Sequence, residues 1–138
     1  MKNKLLWLLA GVIAFDFGIT MLGQPASYWH HPDTAHEGNP VYHWFMVQGV
    51  LCYLTFIVCY IAGVVTLVSR LPRQAAITTG LVFLLVHFFA GSGWLAFHFH
   101  HDMLGPAIYA LVLSIALMQI LNSADWKTCS GSDNREQK

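Results

Sequence analysis

Between two long apolar runs the sequence reads HHPDTAHEGNP, His30 to Pro40, which puts three histidines, Asp33 and Glu37 into eleven residues. A second polar cluster, His98, His100, His101 and Asp102, lies further along in HFHHD. Imidazole and carboxylate suit Zn, Cu, Fe or Mn, and three or four of them must converge within about 2.0 to 2.2 Å of a zinc ion. The expectation is a transition-metal site in which His36, His43 and His98 supply nitrogen, Glu37 acts as oxygen ligand or base, and His101 stands beside them. Around these ligands would lie Asp16, His87, Asn39 and Trp94, with Asp16 fixing an imidazole tautomer.

Other chemistries compete for the same residues. HEGNPVYH is not a zincin motif, because H-E-x-x-H places both histidines on one helical face, and here the second histidine comes seven residues after the first with Gly38 and Pro40 between them. No serine or cysteine has the local setting of a nucleophile, and no Gly-rich phosphate loop is present, so catalytic residues are not assigned. Haem b is an alternative cofactor, for which His43 with His98 is the best cross-helix pair. His87 and His98 sit about 16 Å apart along one helix, a spacing that serves two haems and not one. A further alternative is proton or small-ligand handling around Asp16 and His87, with Thr20, Gln48, Thr55 and Ser92 as a polar track. A structural subunit of a larger membrane complex, or a homo-oligomer, is the last reading.

These groups must be positioned by elements that live in lipid. The 138-residue chain is 56% hydrophobic and only 10% charged, against roughly 25% charged for soluble domains. Four stretches lack Lys, Arg and Glu and are long enough to span a bilayer: residues 5–22, 41–69, 74–97 and 103–121. The fold expectation is therefore an all-α bundle of four transmembrane helices over residues 1–122, with a polar tail at 123–138. The second stretch is too long for a perpendicular span, so its start, VYHWF, is expected in the interfacial layer or along a tilted helix. Pro40 and Pro106 fit the first turns of helices, where a missing N–H costs little.

Lys2, Lys4, Arg70, Arg73, Lys127, Arg135 and Lys138 all fall on one side of such a bundle, which predicts both termini on the cytoplasmic side of an inner membrane. Seven of the eight histidines fall on the opposite, outer side. The first run is expected to remain uncleaved, because Asp16 interrupts it and MLGQPAS offers no A-x-A site. Tyr28, Trp29, Tyr42, Trp44, Trp94 and Phe97 fit an aromatic belt at the outer boundary. His87, Gly91, Trp94, His98 and His101 recur at helical spacing and form one stripe, which Gly91 allows another helix to approach. Cys52 and Cys59 fall inside a span and Cys129 in the tail, so no disulfide framework is expected. They share a face with Gln48 and Thr55, where apolar packing is favoured over a soft metal site. The tail has too few basic residues for nucleic acid.

The Asp16–Thr20 segment followed by EGNP, Glu37 to Pro40, resembles small prokaryotic multi-helix membrane proteins that carry an intramembrane Asp and an E-x-N-P turn. The resemblance covers the first hairpin only, and this chain departs from it by its longer His-rich loop. It implies a membrane bundle in which Asp16, Glu37 and Asn39 matter, and it implies no enzyme class.

Overall fold

A computed structural model describes residues 2–98 and 102–122 of the chain. These residues form five α-helices: α1 (Lys2–Leu22), α2 (Pro40–Val47), α3 (Val50–Arg70), α4 (Arg73–His98) and α5 (Leu104–Asn122). Two short 3-10 helices, Ala26–Trp29 and Pro32–Thr34, occupy the connection between α1 and α2. Three helices, over Asn3–Leu22, Val50–Arg70 and Arg73–Phe97, are long and apolar enough to cross a membrane. α5 is apolar over the shorter stretch Leu104–Ile120, about 25 Å at 1.5 Å per residue.

The outer surface agrees with lipid as solvent. Trp7, Leu51 and Phe89 are 79%, 78% and 69% exposed, and large apolar side chains cover the outward faces of every long helix. Such a surface in water would far exceed the apolar patches that monomeric soluble proteins tolerate.

The expected second span over residues 41–69 is corrected by the structure: it is two helices, α2 and α3, separated at Gln48 and Gly49. Gly49 adopts φ +106°, a conformation that costs a residue without Cβ little and any L side chain considerably. Gln48 therefore belongs to the end of α2, and the helical face it was expected to share with Cys52, Thr55 and Cys59 is interrupted. Thr55 instead donates its hydroxyl to the Leu51 carbonyl within α3, at 2.8 Å. Residues Val41 to Phe45 fall within a separate element, the short α2.

α1 is the hub of the bundle, packing most extensively on α4, then on α3, and touching α5. Leu5, Leu9, Ile13, Phe17 and Met21 recur every four residues and are all buried, which is the periodicity that keeps one helical face turned to its neighbours. A second line on α1, Asp16 and Thr20, runs beside them and is buried as well. At Gly91 of α4 the absence of a side chain lets the helix backbones come together, since a Cβ there would stand 3.6 Å from the Asp16 Cα. The inner part of the core, Leu5, Leu9, Val64, Val68, Ala76 and Leu84, is entirely apolar.

Candidate functional site

Asp16 is 3% exposed and lies in the middle of α1, where a carboxylate must find a partner. Its Oδ2 is 2.7 Å from Nδ1 of His87 on α4, and His87 itself is 1% exposed. The other ring nitrogen, Nε2, is 3.1 Å from the hydroxyl of Tyr60 on α3. Three separate helices thus place one connected set of polar groups inside the bundle.

The hydrogens follow from the chemistry of each group. An ionised carboxylate only accepts, so Nδ1–H of His87 donates to Asp16. A neutral imidazole then accepts at Nε2, and the Tyr60 hydroxyl donates to it. The Tyr42 hydroxyl, on α2, interacts in turn with that of Tyr60. The bonded line therefore runs Tyr60, His87, Asp16, with Tyr42 beside its outer end. Protonating the imidazole reverses the link at Nε2, which becomes a donor to the Tyr60 oxygen, and the Tyr60 O–H must then turn to another acceptor.

Aromatic packing holds this line in place. Phe17, one residue after Asp16, has its ring 5.5 Å from Tyr60, 5.6 Å from His87, 5.0 Å from Tyr42 and 6.0 Å from Phe56. Edge-on and tilted contacts at these separations fix ring orientations and add stability beyond area burial.

A cavity of about 130 Å³ opens beside the relay, lined by residues that include Asp16, Thr20, Glu37, Tyr42, His87 and Trp94. A wider pocket of about 680 Å³ lies next to it, bounded by residues that include His36, Glu37, Ala90, Gly93, Trp94 and Phe97. The two share Glu37, Ala90 and Trp94. Trp94 is seated by Gly23 at the end of α1, where an added Cβ would come within 2.8 Å of the indole ring.

The roof of the cavity is the E-x-N-P turn. Glu37 Oε1 accepts the Asn39 N–H at 2.8 Å, and Asn39 Oδ1 accepts the Val41 N–H at 2.9 Å, capping α2. Pro40 follows as the first residue of that helix, the place where its missing donor does no harm. Gln24 ties the turn down: its side-chain N–H groups reach the carbonyls of Thr20 and His36 at 3.0 and 2.9 Å, and its Oε1 accepts the His36 N–H at 2.7 Å. The buried Tyr28 hydroxyl adds a longer bond, 3.4 Å, to the Met46 carbonyl of α2. Burial raises the Glu37 carboxyl above its ordinary range and the Asp16 charge pushes it further, while the Asn39 amide and His43 pull it back. Burial likewise raises Tyr42, with neighbouring Tyr60 and Asp16 adding to the effect.

Of the expected metal ligands, His36 is exposed and uses its backbone to hold Gln24, Glu37 is half-buried at the cavity roof, and His43 is half-buried on α2 with Nδ1 lacking a partner. The His98 side chain and all of His101 lie outside the described residues, as does His100. Among the described residues no three His, Cys, Asp or Glu side chains gather as metal ligands would. Asp102 instead accepts the Leu104 N–H at 3.1 Å near the start of α5. Asn39, expected among the surrounding polar groups of the site, caps α2, and Trp94 walls the cavity. The pairing of Asp16 with His87 joins the two residues around which the proton-handling alternative was drawn. Tyr60 and Gln24 were not singled out from sequence, and Tyr42 was read there only as an aromatic of the outer belt. Tyr60 reads as one more aromatic in an apolar run, and Gln24 reads as a loop residue. No family model, curated protein or solved structure matches the chain.

Proposed function

We propose that this chain is a four-span membrane protein, both termini on the cytoplasmic side, that takes up and releases a proton at the buried Asp16–His87–Tyr60 relay through the cavity under the Glu37 turn. The observation that carries the reading is the hydrogen-bonded line itself. An intramembrane carboxylate is costly, and here it is joined to an imidazole whose other nitrogen meets a phenol, so a proton added at one end has a path of three groups to move along. His87 is the group whose two ring nitrogens let it accept at one side and donate at the other. Tyr60 and Tyr42 lead toward the cavity, and the apolar layer of Leu9, Leu84 and Val64 separates the relay from the opposite end of the bundle. Access is thus from the loop side, which the seven basic residues assign to the outside.

This reading stands ahead of the metal-site expectation because its groups are already bonded to one another, whereas His36, Glu37 and His43 are engaged separately in the turn and in α2. The test is nuclear magnetic resonance of labelled histidine in the detergent-purified protein. The His87 ring-nitrogen signals are expected to change between acid and alkaline buffer, and the change is expected to shift in both Asp16→Asn and Tyr60→Phe. Signals that stay the same throughout would rule the relay out.

A further inference from the structure

The relay explains one oxygen of Asp16 and leaves the other unexplained. Oδ1 is buried and has no hydrogen-bond partner, although Asp16 lines the inner cavity and is almost wholly withdrawn from solvent. Glu37 places a second carboxylate on the same wall. No Lys or Arg occurs anywhere between residues 5 and 69 or between 74 and 122, so no fixed cation of the described bundle answers these two groups. The histidine that touches the site bonds Oδ2 alone, which leaves Oδ1 without a partner in a space of low dielectric.

The rest of the lining is aromatic and small. Phe17, Tyr42 and Trp94 face the inner cavity, and Trp94 and Phe97 with Ala90 and Gly93 bound the wider pocket. Aromatic faces attract cations electrostatically, and the attraction grows when the cation is desolvated. Ala90 and Gly93 present no side chain beyond a methyl, which leaves α4 flat enough for an apolar group to lie against it. The inner space, about 130 Å³, suits an ammonium head, and the outer one, about 680 Å³, falls within the size range of small-molecule sites.

We infer that the two adjacent cavities bind a small organic ammonium ion, its charged nitrogen between Asp16 and Glu37 and its apolar body against Trp94 and Phe97. The inference goes beyond the proton reading, because it concerns a ligand and depends on charge, shape and aromatic lining. The titratable groups that line the two cavities are Asp16 on α1, His36 and Glu37 in the turn, Tyr42 on α2 and His87 on α4, with the Tyr60 hydroxyl behind His87. All but the two histidines and the carboxylates are phenols, so the site carries no permanent positive charge of its own.

The experiment compares 2-phenylethylammonium with 2-phenylethanol, which share a shape and differ in charge, by equilibrium dialysis against the full chain in lipid nanodiscs with empty nanodiscs subtracted. The ammonium ion is expected to bind saturably and at least roughly tenfold more tightly than the alcohol, as loss of a buried charge partner commonly produces. Glu37→Gln, which keeps an acceptor for the Asn39 N–H, is expected to weaken ammonium binding by about tenfold or more and leave the alcohol unaffected, and Glu37→Asp is expected to restore part of it. Equal binding of both compounds, or an unchanged ammonium affinity in Glu37→Gln, would overturn the inference. The ligand-free histidine signals test the proton relay separately, so either reading can fail without the other.

Discussion

At the scale of single residues, Asp16 and His87 determine each other. A carboxylate inside a bundle is tolerable because the imidazole donates to it, and the imidazole keeps its tautomer because the carboxylate is there. Removing only one partner is therefore worse than removing both. His87→Phe is expected to destabilise the protein by about 3–5 kcal/mol, the usual cost of stranding a buried charge. Adding Asp16→Asn is expected to recover part of that loss, and reversible unfolding in mixed micelles measures both. A double variant no more stable than His87→Phe would mean that the pair is not coupled. The sequence made Asp16 conspicuous, since it is the sole Asp or Glu within the first apolar run. Tyr60 was not legible, because a tyrosine among Val, Ile and Leu carries no mark of what its hydroxyl will meet across 27 residues of chain.

At the scale of elements, the E-x-N-P turn and the break at Gly49 set where the site opens. Glu37 closes the turn, Asn39 caps α2 and Pro40 starts it, so the motif is a local folding signal as well as a source of a carboxylate. α2 then ends two residues before the membrane-length helix, and Gly49 redirects the chain into α3. This redirection brings Tyr42 of α2 beside Phe17 and Phe56, with ring centres 5.0 and 5.6 Å away. Gly49→Ala meets no atom within 4 Å, so its cost is backbone strain alone. The expected loss is about 1–3 kcal/mol, read as a lower unfolding midpoint, and a variant as stable as the parent would show that the positive φ is not required. Hydrophobicity alone merged α2 and α3 into a single run over 41–69, because apolar composition continues through the break and a lone glycine inside such a run has no fixed meaning. The turns at Pro40 and Pro106 were legible for the opposite reason, since proline has few places in a helix.

At the scale of the whole molecule, the bundle is polarised. Lys4, Arg70 and Arg73 lie at the helix ends away from the loop, and at the other end a loop pinned by Gln24 and Tyr28 roofs a cavity that leads to the only buried ionisable pair among the described residues. All-helical architecture follows from composition and run length, which is why it could be read directly, whereas of the four runs read as spans three contain helices of membrane length and the last forms the shorter apolar α5. The meeting of Asp16, His87 and Tyr60 required knowing how α1, α3 and α4 pack, and helical periodicity supplies a face but not the identity of the face opposite. The histidines drew attention to the loop, yet the connected chemistry lies deeper, on a histidine that stood apart from the others in sequence. The most direct test of the relay is infrared difference spectroscopy on sealed proteoliposomes when only the outside buffer is acidified. A protonated-carboxyl C=O band that appears in the parent, vanishes in Asp16→Asn and moves in Tyr60→Phe is the expected result. An acid-induced spectrum that is identical in the parent and in Asp16→Asn would contradict proton uptake at this site.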